Sequence, residues 1–378
     1  MIVGVVKETV PGERRVALIP DSVSKLIGSK LEVRVQSGAG SEAFYSDQAF
    51  EKAGARLVPD AEAVLSESDV IVKVQPPTLD EVGQLKAGAI LISFLQPSTN
   101  AEVVKELAKR RVTAFSLELV PRISRAQSMD ALSSQANVSG YKAVLLAATR
   151  LGKFFPLLIT AAGTVTPARV LVLGAGVAGL QAIATARRLG AVIYAYDVRP
   201  AVKDEVKSLG ATFVELPLEA QEGQGGYARE QSEEFLRRQR ELIGEHVAAA
   251  DVVITTAAVP GRRAPILVTK DMVAKMRPGS VVVDLAADSG GNVELTKPGE
   301  VVTVDGVVID GTRNLPSTMP VHASQLFSRN VSTLLLSLVR DGQAKLDFTD
   351  EVVKGSCLTT GGELIHPRAK ELLEASKA

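Results

Sequence analysis

The sequence predicts an α/β fold built of two doubly wound parallel-sheet domains with a cleft between them. Three observations carry that reading. Short β-branched runs alternate with helix-period segments along most of the chain, as buried parallel strands alternate with the helices that cover them. One stretch, Arg169 to Asp197, reads in succession as strand, glycine turn, helix and strand. At 378 residues the chain is also too long for one ordinary core.

Residues 2–6 (IVGVV) read as a first buried strand rather than a signal peptide, because no basic segment precedes an apolar core. Lys7-Glu8-Thr9 and the turn Pro11-Gly12-Glu13 lead to Arg14-Arg15 at the end of a loop. Two adjacent cations suit either an anion site or an ordinary solvated pair, and these residues alone favour the solvated pair. Helices are expected at 21–26, 47–53, 61–66 and 101–110, with strands at 31–36, 70–74 and 90–94. A long helix is expected over 130–149, where Ala131, Leu132, Ala136, Val138, Val144, Leu145 and Ala148 form an apolar stripe broken only by Gly140. Either Ser128 or Asp130 can cap it. Capping accounts for one residue of that polar approach and leaves Arg122, Arg125, Gln127 and Ser133 unexplained.

In the glycine turn, Gly174 permits the tight bend, Gly176 lets backbone N–H groups approach a pyrophosphate, and Gly179 allows close packing of helix on strand. Asp197, at the end of the second strand, stands where a carboxylate accepts hydrogen bonds from an adenosine ribose. The strand before, the helix after and the acid at this offset favour nucleotide binding over a purely structural βαβ unit, and make the domain Rossmann-like. Further strands at 212–215, 252–255, 281–284, 301–304 and 307–309 would complete its sheet. Residues 218–240 are polar and glycine-rich around Gly225-Gly226-Tyr227, which suits either a linker or a lid. Helical periodicity resumes over 326–339, after Pro316 and Pro320, and the tail is expected to return to the first domain. The expected domains are thus 1–132 with 316–378, and 133–315.

Composition excludes several function classes. Lys plus Arg and Asp plus Glu each number 43, so no net field attracts nucleic acid. A lone cysteine, Cys357, and three scattered histidines offer no zinc cluster, and no metal is expected. The most apolar region, 143–165, is interrupted by Arg150, Lys153 and Pro156 and does not read as a membrane span.

Read as a whole, the chain resembles the NAD(H)-binding component of proton-translocating nicotinamide nucleotide transhydrogenase, a relative of alanine dehydrogenase. The most specific features are RISRAQSMDALSSQAN at 122–137, VLGAGVAGLQAIATARRLGA at 172–191, the Tyr-Asp-Val-Arg segment ending at Arg199, and Gly226-Tyr227-Ala228. The resemblance implies that Arg122, Gln127, Asp130 and Ser133 serve the nicotinamide ring and ribose, and that Gly226 and Tyr227 belong to a loop closing over the nucleotide. With Gly174, Gly176, Val177, Gly179, Asp197, Val198, Arg199, Ala258 and Val259, these two make the expected NAD-binding set. It further implies a membrane-spanning partner subunit, an NADP(H)-binding partner subunit or domain, a homodimer, and a cytoplasmic place at the inner membrane face held through those partners.

Alanine dehydrogenase relatives carry an arginine after the first strand, a lysine in a VKV-type strand and a histidine after the next strand. Arg15 and Lys73 match, but the histidine position holds Gln96. Oxidising an amino acid requires a proton acceptor beside the reacting carbon, which glutamine cannot supply. Hydride exchange between two nicotinamides requires orientation instead. An alanine-type dehydrogenase is the second reading, and a nucleotide-sensing protein without catalysis the third.

Overall fold

The computed structural model describes residues 1–216, 233–258 and 263–375, so the expectations for Gly226, Tyr227 and Val259 lie outside the described residues. The chain divides into two compact units, Met1–Gln135 with Ser317–Ala378, and Ala136–Pro316. The divisions expected from the sequence fall at 132/133 and 315/316.

The first unit opens with β1 (Ile2–Val5), β2 (Glu32–Gln36), β3 (Arg56–Val58), β4 (Val70–Val72), β5 (Ile90–Ser93) and β6 (Thr113–Ser116). Their spatial order is β3-β2-β1-β4-β5-β6, all parallel. The β-branched runs form strands here because both faces are covered. Val3, Val5, Val33, Val35, Val70 and Val72 enter one cluster, and Ile71, Leu91 and Ala114 enter another on the opposite face. That division follows the two-residue period of a strand.

A short hairpin, β7 (Leu158–Thr160) and β8 (Gly163–Val165), precedes the second sheet. That sheet comprises β9 (Arg169–Leu173), β10 (Val192–Tyr196), β11 (Thr212–Phe213), β12 (Val252–Thr255), β13 (Val281–Asp284), β14 (Val301–Val304) and β15 (Val307–Asp310). Its order is β11-β10-β9-β12-β13-β15-β14. Six of these strands are parallel, whereas β14 pairs antiparallel with β15 through the tight turn at Asp305-Gly306, a departure from the parallel sheet expected. Val170, Val172, Ile193 and Ile254 face one cluster, and Leu171, Leu173, Val253 and Val282 the other.

After the helix Pro320–Ser337, a two-strand ribbon, β16 (Val339–Arg340) and β17 (Gln343–Ala344), leads to β18 (Cys357–Thr360), which joins the first sheet antiparallel to β6, with β19 (Glu363–Leu364) beyond it. The helix begins six residues before the periodicity suggested. Its buried face carries Ser324, Ser328, Asn330 and Ser332 as well as apolar residues, so a hydrophobic period is hidden there. A second correction concerns residues 233–240, expected as part of a loop, which open the helix Glu233–Ala249. Phe235, Gln239, Ile243 and Val247 form its buried stripe, while Arg238–Glu234 and Arg237–Glu241 pair along its exposed side.

Candidate functional site

In the second unit, β9 and β12 are neighbours whose connections leave in opposite directions, the switch point at which α/β sheets admit ligands. The glycine turn occupies the end of β9. Gly174 has φ +102°, and a Cβ there would stand 2.5 Å from the Thr256 hydroxyl oxygen. At Gly179 a Cβ would lie 1.9 Å from the Gly174 carbonyl oxygen, so the helix Val177–Arg188 packs on the turn only through glycine. Gly176 differs from both: among the described residues, a Cβ built there meets nothing within 4 Å. Among those residues the space before it is open and no side chain caps the helix N-terminus, which leaves the first-turn N–H groups and the exposed Val177 to an anion.

Asp197 closes this turn from β10. Its Oδ2 accepts from the Ala175 amide at 2.7 Å, and its Oδ1 accepts from the Arg199 amide and Nε, each at 2.9 Å. Arg199 Nη2 completes the pair at 2.9 Å from Oδ2, so Arg199 is already committed to the carboxylate. Burial alone would raise the Asp197 carboxyl, yet the Arg199 side chain and the two amides hold it below the usual carboxylate range. Val198, between them, is half-buried.

Ala258 is exposed at the end of the segment after β12, which is organised by residues that no sequence motif marks. Asn292, fully buried, accepts from the Ala257 amide at 3.0 Å and donates to the Ala257 and Pro265 carbonyls, both at 2.8 Å. Asp284, also fully buried at the end of β13, accepts from the Asn292 and Val293 amides and the Thr255 and Thr296 hydroxyls. The one sequence signal for Asp284 is an acid ending a run of three valines.

In the first unit, Ser124–Met129 forms a 3-10 segment running into the helix Ala131–Arg150. Asp130 is the cap: Oδ1 accepts from the Ser133 amide at 2.9 Å, and Oδ2 from the Ser133 hydroxyl at 2.6 Å. Asp130 and Ser133 are thereby one preassembled pair. Arg125 makes a bidentate bridge to Asp350, which caps the helix Glu351–Ser356. Arg122 and Gln127 are exposed, while Ala126 and Met129 between and beyond them anchor the segment in the core.

Arg15 corrects the solvated-pair reading: it is 4% exposed, with Nη2 2.6 Å from Glu13 and Nη1 donating to Gln135 at 2.8 Å. Arg14 remains at the surface beside Glu42. Lys73 is fully buried, 2.6 Å from Glu81 and 3.8 Å from Glu8. The other Glu81 oxygen closes a capping box with Thr78. Burial pushes the Glu8 carboxyl up to about 7, against the lowering effect of Lys73 and the Val74 amide and with a small further push from Glu13. Gln96 is exposed on a left-handed turn, φ +44°, whose amide donates to the carboxylate of the half-buried Glu118.

Among the described residues, no helix is long and apolar enough to cross a membrane, and no group of three His, Cys, Asp or Glu side chains converges as metal ligands would.

A glycine turn opening onto an acid-bearing strand at the switch point defines a Rossmann-like α/β protein of the dinucleotide-binding type. The chain belongs to the alanine dehydrogenase/PNT family: residues 4–139 match its N-terminal domain and residues 143–367 its C-terminal domain. It is 48% identical to an NAD(P) transhydrogenase subunit alpha chain of Rhodospirillum rubrum, over 97% of this chain and 98% of that one. The crystal structure of transhydrogenase from Sinorhizobium meliloti superposes with a TM-score of 0.86 at 44% identity, covering 97% of this chain and all of that one. An L-alanine dehydrogenase structure superposes with a TM-score of 0.84, covering both chains fully, at 29% identity. The fold is common to both branches, and the sequence sides with the transhydrogenases, as an oxidoreductase component.

Proposed function

We propose that the chain binds NAD(H) and exchanges a hydride with NADP(H) held by a partner subunit or domain. The observation that carries this reading is the open face of Gly176 beside Asp197 at the switch point, which fits a dinucleotide: room for a pyrophosphate, uncapped N–H groups facing it, and an acid for ribose hydroxyls. Gly174, Gly176, Val177 and Gly179 would hold the pyrophosphate, with Asp197, Val198, Arg199 and Ala258 around the adenosine. Asp197 would exchange its bond from Ala175 or Arg199 for the ribose hydroxyls. Arg122, Gln127 and the Asp130–Ser133 pair would orient the nicotinamide end through hydrogen bonds. When bound, NAD(H) supplies or accepts the hydride. The protein contributes orientation and no proton transfer, which suits side chains of this kind.

Membrane association would come through partner subunits, and self-association is supported by the hairpin β7–β8. Both of its strands are exposed, with Ile159 71% exposed and Leu157, just before them, 52%, and an isolated two-strand hairpin is marginal in water without cover.

The alternative within the family is alanine oxidation. Gln96 speaks against it, since its amide does not titrate. Incubating the full chain with NAD+ and L-alanine tests this: no NADH above the blank is expected, and sustained alanine-dependent reduction would reverse the assignment.

A further inference from the structure

We propose that Asn330 is a positioning residue for hydride transfer, holding the segment that presents Gln127 at its working angle. This rests on the reading that Gln127 orients the nicotinamide. The 3-10 segment Ser124–Met129 is six residues long, and such segments have poor internal hydrogen-bond geometry. At Asp130 the backbone leaves the helical region, ψ 89°, and this one residue joins the two elements, its amide donating to the Gln127 carbonyl at 3.3 Å and its carbonyl accepting from the Ser134 amide at 3.2 Å. A residue outside both elements can brace so narrow a joint.

Asn330 does so from a place 202 residues beyond Ser128 in the chain. It sits 6% exposed on the helix Pro320–Ser337. Its Nδ2 donates to the Ser128 carbonyl at 2.8 Å, and its Oδ1 accepts from the Ser134 hydroxyl at 2.7 Å. A carbonyl only accepts, so the amide nitrogen must face Ser128 and the amide orientation is determined by its partners. One side chain thus spans the break at Asp130, tied on one side to the residue after Gln127 and on the other to the first turns of the helix that carries Ser133. The strut is itself braced, since Gln135 donates to the Ser134 hydroxyl oxygen and the Ala323 carbonyl, each at 3.1 Å, and accepts from Arg15. A buried asparagine in a helix is costly unless it is used, and both its polar atoms are used here.

Asn330→Asp keeps the acceptor for Ser134 and replaces the donor to Ser128 by an oxygen, which repels that carbonyl. The test uses the full enzyme assembled with its NADP(H)-binding and membrane partners, with NADH and NADP+ as substrates. Asn330→Asp is expected to lower kcat about tenfold by misdirecting the segment, while the Kd for NADH changes by less than about twofold. Combined with Gln127→Ala, it should add nothing to the loss caused by Gln127→Ala alone, because both act through one group. Losses that multiply would overturn the proposal while leaving the Gln127 reading intact. A Gln127→Ala enzyme with full turnover would remove that reading, and the proposal with it. Should Asn330→Asp fail to fold, Ser134→Ala releases the same strut from its other end, with an expected loss of roughly threefold in kcat under the same split. Unchanged turnover in that variant would overturn the proposal.

Discussion

Asp197 and Glu8 are both buried carboxyls, and their partners give them opposite properties. Asp197 meets a guanidinium and two amides and stays ionised, ready for neutral hydroxyls but repellent to a 2′-phosphate. Asp197→Ala should weaken NADH about tenfold, in line with loss of a hydrogen bond to a charged group, and release Arg199 to receive a 2′-phosphate. The ratio of NADPH to NADH dissociation constants in parallel titrations should therefore fall, and an unchanged ratio would contradict this role. Glu8 is desolvated more than it is compensated, and its pKa rises from 4.5 to about 7. Between those values the folded state holds a proton that the unfolded chain releases. Stability therefore declines as pH rises from about 4.5 to 7, by up to about 3 kcal/mol, and is flat beyond. Glu8→Gln, which keeps an acceptor for the Val74 amide, should remove that slope from urea midpoints measured at pH 5 and 7.5. At this scale the sequence was only partly legible. Glycine spacing and the acid after β10 are local signals, whereas the burial of Arg15 and Lys73 depends on Glu13, Glu8 and Glu81, and no spacing rule identifies such partners.

The helix Ala131–Arg150 shows how one element serves both packing and the candidate site. Its cap, Asp130, is shared with the Ser133 hydroxyl, so removing the carboxylate disturbs two proposed site residues together. Asp130→Ala should cost about 1 kcal/mol of stability, the usual value of an N-cap. Asp130→Asn should restore most of it, because an amide oxygen still accepts from the Ser133 amide. Chemical denaturation of both variants checks this, and equal losses would show that the cap is not the source. Gly140 is the break in the helix's apolar stripe. A Cβ there would stand 2.1 Å from the Ala178 carbonyl oxygen, so it is a close-contact glycine rather than a flaw in the pattern. The helix Pro320–Ser337 was legible except for its first six residues. Ser324 and Ser328 accept from the Val16 and Ile19 amides, and Asn330 spans the Asp130 break, so this element buries the polar residues that a search for hydrophobic period discards.

At the scale of the whole chain, two doubly wound parallel sheets were legible because buried parallel strands are written as β-branched runs, whereas their order, 3-2-1-4-5 in each, came from the structure. Their antiparallel strands, β14, β18 and β19, were not, since strand direction is set by connection geometry that composition does not encode. The two family branches share this architecture, and the two readings differ in the chemistry proposed at the site: amino-acid oxidation needs a proton acceptor, whereas exchange between two nicotinamides needs orientation. In the proposed reaction, hydride passes directly between nucleotides on this chain and its partner. The most direct measurement mixes the full chain and its NADP(H)-binding partner with NADP+ and NADH carrying deuterium at the transferable ring position. Direct transfer predicts that the label arrives in NADPH without dilution by solvent hydrogen, and that no label moves when the partner is omitted. Label lost to water, or NADPH formed without label, would contradict it.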